Sequence, residues 1–264
     1  MSGASAPLVF ITGASSGIGQ ALAQRFHAAG WRLALVARRA DELRRFVLAQ
    51  RYTEHEAQVY AADVADAASI TAAGRSCIDR QGLPDAVIAN VGISAGIDSA
   101  RFEDLQVLHD TLQTNVFGIA ATFQPFIEPM RQRRRGTLVG VASVAGIRGL
   151  PGHAAYCASK AAAIAYCESL RGECRPFGVR VVTLVPGYVD TPLTRGNPYP
   201  MPFLMPATAF ADAAFAAVSA GCSYRVIPWP MAVVAKLLRV LPNALFDRVL
   251  AGRARKPRHN EAAR

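Results

Sequence analysis

Tyr156 and Lys160 stand four residues apart in a stretch, Ala154 to Leu170, that reads as helix. At that spacing both side chains lie on one face, one turn apart. A free phenol titrates near pH ~10 and exchanges protons poorly at neutrality. A neighbouring ammonium favours the phenolate and brings the group towards the working range of a general acid. Lys160 is one of only three lysines among 29 basic residues, which sets the pair apart from a chance Tyr-x-x-x-Lys. Ser143 closes an apolar, strand-like run upstream, where a hydroxyl either caps the turn or orients and polarises a carbonyl. Asn115, within Thr114-Asn115-Val116-Phe117-Gly118, falls in a helical stretch, and asparagine suits a buried helix interior only when it is paired. The chemistry these groups fit is proton transfer to or from a carbonyl–alcohol pair.

A second constellation points to a phosphate-bearing ligand. The apolar run Leu8–Thr12 leads into Thr12-Gly13-Ala14-Ser15-Ser16-Gly17-Ile18-Gly19, and helical periodicity follows. Gly13 permits the tight strand-to-helix turn, Gly17 removes the Cβ that would hold a pyrophosphate off the backbone, and Gly19 lets the helix pack close to the sheet. The helix opening around Ser15, Ser16 and Ile18 points free N–H groups and a positive dipole end at the phosphates. After the next strand the chain reads Val36-Ala37-Arg38-Arg39, with no acid before Asp41. An acid there would accept hydrogen bonds from the adenosine ribose of NAD. Two guanidinium groups instead suit a 2′-phosphate, and so NADP(H) over NAD(H), with Arg38 the better placed. The alternative is that both arginines are surface charges at a helix start.

The elements that must position these groups alternate regularly. Runs suited to buried parallel strands occur at residues 8–12, 32–37, 57–62, 86–90, 137–142, 179–185 and 224–227. Helical periodicity fills 17–29, 40–50, 66–80, 103–131, 153–175 and 207–220. Right-handed crossovers then predict an α/β, doubly wound Rossmann-type fold: a seven-stranded parallel sheet with helices on both faces. Its substrates bind at the C-terminal edge of the strands, where Ser143 falls.

The glycine spacing is G-x-x-x-G-x-G, and further motifs follow in order: Asp63-Val64, Asn90-Val91-Gly92, Asn115, Ser143, Tyr156-x-x-x-Lys160 and Pro186-Gly187. Together, over roughly residues 7–230, they resemble the short-chain dehydrogenase/reductase family. The resemblance implies reversible hydride transfer between a nicotinamide dinucleotide and a carbonyl or secondary alcohol. Asp63 would meet the adenine amino group and Val64 its ring. Asn90, beside Gly92, would steady the sheet next to the cofactor, or serve simply as a strand-end turn former. The chain departs here from the family's Asn-Asn-Ala-Gly, carrying Ala89-Asn90-Val91-Gly92. Asn115 would hold a water relaying protons through Lys160, which would also bind the nicotinamide ribose. Pro186-Gly187 would fold over the nicotinamide, with Val189 and Thr191 adding cofactor contacts. Residues 188–206, with Pro198, Tyr199, Pro200, Met201, Pro202, Phe203, Leu204 and Met205, correspond to the family's variable substrate lid and suit an apolar carbonyl substrate. Arg148 and His153 either line its entrance or are solvated loop residues. The family also implies a homodimer or homotetramer. A catalytically silent NADP sensor or interaction module of the same fold is the rival reading, against which stand the four candidate catalytic residues.

Composition narrows the class. With 264 residues, 52% hydrophobic and 18% charged, the chain affords a sizeable core. The N-terminus lacks the charged lead of a signal peptide, and the longest uncharged run, 111–127, is too polar to span a bilayer. Five cysteines without a C-x-x-C pair argue against a disulfide framework or a metal site, and for a cytoplasmic protein. The net charge of +10 raises nucleic acid as a partner, but no reading motif accompanies it. From Lys236 onward eight basic residues face only Asp247 and Glu261, which accounts for six of those ten charges. Residues 1–230 therefore read as the dinucleotide-binding and catalytic domain, and 231–264 as a basic amphipathic extension. Val234, Leu237, Leu238 and Leu241 mark one helix, and Leu245, Phe246, Val249 and Leu250 a second after Pro242. Such an extension packs over the lid or a partner subunit, or lies on an anionic membrane surface.

Overall fold

A computed structural model describes residues 6–252 and 254–258. Within them the seven apolar runs pair as one parallel sheet, since each is followed by a crossover that returns the chain to the same edge. The strands are β1 (Leu8–Thr12), β2 (Arg32–Ala37), β3 (Ala57–Ala61), β4 (Ala86–Ala89), β5 (Gly136–Val141) and β6 (Val179–Pro186). After the short β7 (Val189–Asp190) and β8 (Met205–Pro206), which pair only with each other, β9 (Tyr224–Ile227) completes the sheet in the order β3-β2-β1-β4-β5-β6-β9. The winding reverses between β1 and β4, and this opens a crevice at the C-terminal strand edge.

Alternation along the strands builds two cores. Val9 and Ile11 face one side, where Leu22 and Phe26 of α1 (Gly17–Ala28), Leu43 of α2 (Ala40–Ala49) and Phe210 of the 207–219 helix cover them. Leu8 and Phe10 face the other, against Ile70 of α3 (Ala67–Gln81) and the aromatic rings of Phe123 and Phe126. The single helix expected over 103–131 is three pieces: α4 (Asp104–Leu112), a π-helical turn (Gln113–Phe117) and α5 (Gly118–Arg133). The widened turn interrupts the regular ladder at Asn115, whose side chain is fully buried and hydrogen-bonded. Then follow α6 (Ala154–Cys174), α7 (Pro192–Arg195) and α8 (Ala207–Ser219).

The chain ends in α9 (Trp229–Val240) and α10 (Asn243–Leu250), then a strap over 254–258. The apolar stripes expected on these helices are only partly their buried faces, with Val234, Leu238, Leu241 and Leu250 half-buried. Met231, Ala235 and Phe246 are buried, whereas Trp229, Val233, Leu237 and Val240 share an exposed face of α9, and Leu245 and Val249 are exposed on α10. Arg253, Glu261 and Arg264, counted in the basic extension, lie outside the described residues. Arg148 is neither an entrance residue nor a solvated one. Its guanidinium donates to the carbonyls of Leu238 and Leu241 (2.6 Å) and to Asn243 Oδ1 (2.9 Å), and it stacks 3.8 Å from the Phe246 ring. It thus satisfies the orphan carbonyls at the end of α9 and pins both helices to the loop after β5. Among the described residues no helix is long and apolar enough to cross a membrane.

Replacing Arg148 with Met keeps the stem but removes every donor. Amide exchange should accelerate across residues 237–250 while β1, β4 and β5 keep their protection; an unchanged tail would show that burial of Met231, Ala235 and Phe246 suffices.

Candidate active site

The glycine turn forms because β1 must reverse into α1 within four residues, which Gly13 (φ +65°) and Gly17 (φ +53°) allow. Ser16 occupies the N-cap in extended conformation, and its side chain caps no backbone N–H. The first turn of α1 therefore presents open donors. Gly19 packs against the turn itself and not the sheet: a Cβ there would fall 2.1 Å from the Gly13 carbonyl oxygen. Asn90 locks the neighbouring strand end to this turn, donating from Nδ2 to Thr12 O (3.3 Å) and Gly13 O (3.4 Å), while its N–H donates to Thr12 Oγ1 (3.2 Å).

A cleft of about 520 Å³ runs along these loops. It brings together Gly13, Ser15, Ser16, Gly17, Ile18, Arg38, Arg39, Asp63, Val64, Asn90, Gly92 and Thr191 of the residues singled out in the sequence. Asp110, Gln113, Thr114, Ile93 and Leu193 also line it and carried no signal beyond proximity to Asn115 and Thr191. At one end Arg38 and Arg39 are exposed; Arg39 pairs with Glu42 (2.8 Å), and Arg38 sits 3.8 Å from Asp63. Asp63 turns its other oxygen to the Ala65 N–H (3.0 Å). Pro186, Gly187 and Val189 do not line the cleft. Val189 is buried in the core, and its carbonyl accepts from Thr194 Oγ1 (2.6 Å). Gly187 faces Met231 of α9, where a Cβ would meet Cγ at 2.8 Å, and its N–H donates to Ile227 O (2.7 Å).

The candidate proton-transfer residues Ser143, Tyr156 and Lys160 do not line the cleft but lie behind it, with Lys160 beside Gly92. Tyr156 and Lys160 lie on one face of α6, and Lys160 Nζ is 5.8 Å from the Tyr156 ring centroid. Ser143, buried at the end of β5, accepts from the Ala145 N–H (3.2 Å) and lies within hydrogen-bonding reach of the Tyr156 phenol. The capping role expected of it is thus met, and the same hydroxyl faces Tyr156. Lys160 is buried and donates to Val141 O (3.0 Å), and a Cβ at Gly92 would come close to its Nζ, at 3.2 Å. Asn115 donates to Ile93 O and to Ser159 Oγ (both 2.9 Å) and accepts from the Ile93 N–H (2.8 Å).

The electrostatics differ from the expectation. Burial pushes the Tyr156 phenol above its ordinary range and the Ser143 hydrogen bond opposes this; Lys160 is no large influence. Burial likewise brings the Lys160 ammonium down to about 8. The lysine lies over the ring and spends a proton on a carbonyl, so its field at the hydroxyl is weaker than direct contact would give. His153 is buried rather than solvated, bridging Pro151 O and Tyr199 OH (both 3.2 Å), and burial lowers its pKa.

With this fold and site in view, comparison with known proteins gives a consistent result. Residues 7–199 match the family model described as short chain dehydrogenase. An uncharacterized oxidoreductase of Myxococcus xanthus is 38% identical over 90% of this chain and 93% of its own. The dehydrogenase/reductase SDR family member 7B of Bos taurus is 34% identical, over 96% of this chain and 83% of that one. Among solved structures, a short-chain dehydrogenase from Streptomyces avermitilis superposes with a TM-score of 0.78 at 26% identity, covering 94% of both chains. An alcohol dehydrogenase from Thermococcus sibiricus, complexed with 5-hydroxy-NADP, gives 0.76 at 25% identity over 84% of this chain and 95% of its own. The chain belongs to the short-chain dehydrogenase/reductase family and is an oxidoreductase. The cleft fits the family's nicotinamide dinucleotide: it supplies open helix N–H donors from a turn that the left-handed Gly13 and Gly17 keep tight, and exposed cations at one end.

Removing the Asn115 carboxamide leaves the buried N–H and C=O of Ile93 unpaired. Asn115→Ala should cost about 1–3 kcal/mol, the penalty of leaving buried partners unsatisfied. Chemical denaturation reads that loss; a variant as stable as the wild type would make the π turn self-supporting.

Proposed function

We propose that this oxidoreductase transfers hydride reversibly between NADP(H), preferred over NAD(H), and a carbonyl or secondary alcohol on an apolar substrate. The observation that carries the reading is the convergence of Ser143, Tyr156 and Lys160 at the strand edge beside the dinucleotide cleft. A nicotinamide bound there supplies or accepts the hydride. The backbone of Ser15, Ser16, Gly17 and Ile18 would receive the pyrophosphate, and Thr191 would close over it. Asp63 and Val64 would hold the adenine, with Asn90 and Gly92 framing the cofactor's middle. Pro186, Gly187 and Val189 would then act as the floor that places Thr191, not as contacts.

In the reducing direction Tyr156 gives its proton to the carbonyl oxygen, and Ser143 holds that oxygen in place. A phenol kept protonated by burial is a ready acid for reduction; alcohol oxidation needs the phenolate and so rises with pH. Lys160 replenishes the proton. The Asn115 side chain is committed to Ile93 and Ser159, so a water relay at this turn would rest on its main chain. The exposed Arg38 and Arg39 support the 2′-phosphate reading. Tyr156→Phe should lower carbonyl reduction by at least ~10²-fold, the low end for general acid catalysis, with cofactor binding retained. Arg38→Asp should raise the KM for NADPH and lower that for NADH. Near-normal turnover in the first variant would favour a catalytically silent NADP-binding module, and an unmoved NADPH/NADH ratio in the second would remove the preference.

Further surfaces support association. Phe102, Leu105 and Phe117 stand exposed around α4 and α5, which fits a homodimer or homotetramer. The exposed Trp229, Val233, Leu237 and Val240, with Lys236 and Arg239 beside them, fit peripheral contact with an anionic membrane by the 231–264 extension. Five free cysteines support a cytoplasmic setting. Sedimentation should show more than a 28 kDa species, and anionic liposomes should retain the protein at low salt. A monomer, or indifference to such liposomes, removes the respective proposal.

A further inference from the structure

The strap over 254–258 crosses the open side of the site and brings a cation to it. Its path is fixed at three points. The Gly96 N–H donates to Pro257 O (3.1 Å), and a Cβ at Gly96 would fall 2.1 Å from Lys256 O, so strap and loop run in backbone contact. Arg258 forks onto Asp104, Nε to Oδ2 and Nη2 to Oδ1 (both 2.9 Å), and reaches Glu103 Oε1 (3.1 Å). Arg255 lies on Gly152, in the loop that leads into the helix of Tyr156; the Cβ of any larger residue there would come within 3.0 Å of Arg255 Cδ. The strap therefore joins the loop after β4 and the loop before α6, and its Lys256 touches the lid helix α7.

Between the anchors, Lys256 turns inward. Its half-buried side chain places Nζ 3.2 Å from Ser94 Oγ and 3.4 Å from Leu193 O. Leu193 and Ile93, the residue before Ser94, line the dinucleotide cleft, and His153, hydrogen-bonded to Tyr199 of the lid, feels the lysine's charge. The two acids that the strap reaches, Glu103 and Asp104, are taken by Arg258. Among the described residues no carboxylate lies within ion-pairing distance of Lys256. An ammonium half-buried with two neutral acceptors and no counter-charge among the described residues is an incomplete ion site. Burial alone pushes its pKa down, as a missing anion would leave it.

We propose that Lys256 is a specificity-determining residue that receives an anionic group of the substrate, so that the preferred substrate is an oxo acid: an apolar carbonyl compound bearing a carboxylate away from its reacting carbon. The apolar lid takes the body of such a molecule, Ser143 and Tyr156 its carbonyl, and the strap its charge. This rests on the hydride-transfer reading, with which it shares the reacting end of the site. Ser94 Oγ, already at Nζ, supplies a second donor for the same carboxylate.

The test is a matched series of methyl ketones, each offered as the free ω-carboxylate and as its methyl ester, with NADPH as reductant. The wild type should prefer acid to ester by roughly tenfold or more in kcat/KM, carried by KM, as expected for a charge-assisted hydrogen bond. In Lys256→Met that ratio should fall to about one with the KM for NADPH unmoved, and Lys256→Arg should keep most of it. Lys256→Gln serves as the neutral variant if the Met protein is unstable. Calorimetric titration of the same acids into enzyme loaded with NADP+, which cannot reduce them, reads the site without turnover. Absence of reduction with every probe would count against the hydride-transfer reading, while acid binding that is lost in Lys256→Met would still uphold Lys256. Equal use of acid and ester by the wild type, full discrimination in Lys256→Met, or no acid binding at all would overturn the proposal. A raised NADPH KM in that variant would overturn it too, because the charge would then serve the cofactor.

Discussion

One buried carboxamide ties the two halves of the site together. Asn115 sits where neither water nor a helical partner is available, so each of its polar atoms must find protein. It finds Ile93 on the loop after β4 and Ser159 on α6, and Ser159 Oγ donates in turn to Tyr156 O (2.8 Å). The cleft loop, the π turn and the helix of Tyr156 are thereby held in one register. The widened turn is the cost of admitting that residue to a helix, and it ends at Gly118, where a Cβ would press on Val64 at 3.0 Å. Lys160 shares the same arrangement: its Nζ donates to Val141 O of β5 and packs closely beside Gly92, next to Asn115.

Most of the frame was legible because it is local. Periodicity two or 3.6 marks the strands and helices, and all seven sheet strands lie within a residue of their expected ends. The glycine turn and Tyr-x-x-x-Lys are readable for the same reason: the needed geometry is set by neighbours in the chain. What was not legible depends on distant partners. The π turn has helical apolar spacing on both sides, so nothing in 103–131 betrays it. Arg148 looks like a loop cation until α9, some 90 residues later, presents its carbonyls. The stripe Val234, Leu237, Leu238 and Leu241 is a fair helix signal but does not say which side the sheet will cover. Met231 packs on Gly187 and Ala235 is buried with it, while Leu237 is left outside.

Charge shows the same division between what a count tells and what a position tells. A net +10 says only that anions are favoured. The fold sorts that surplus. Arg133 and Arg135 are spent on Asp85, Arg258 on Asp104 and Glu103, and Arg148 on helix carbonyls. Exposed Arg38, 3.8 Å from Asp63, lines one part of the cleft, and half-buried Lys256 touches Leu193 in another part of its lining. The same region holds the open N–H groups of α1 and a proton-transfer pair that burial drives towards neutrality. Cations at two places beside the cleft with a nearly uncharged reacting centre suit a ligand pair whose charges lie away from its chemistry. Under the proposed function, a basic chain without a nucleic-acid motif would be the consequence: cations beside the cleft would draw a small anionic ligand into it.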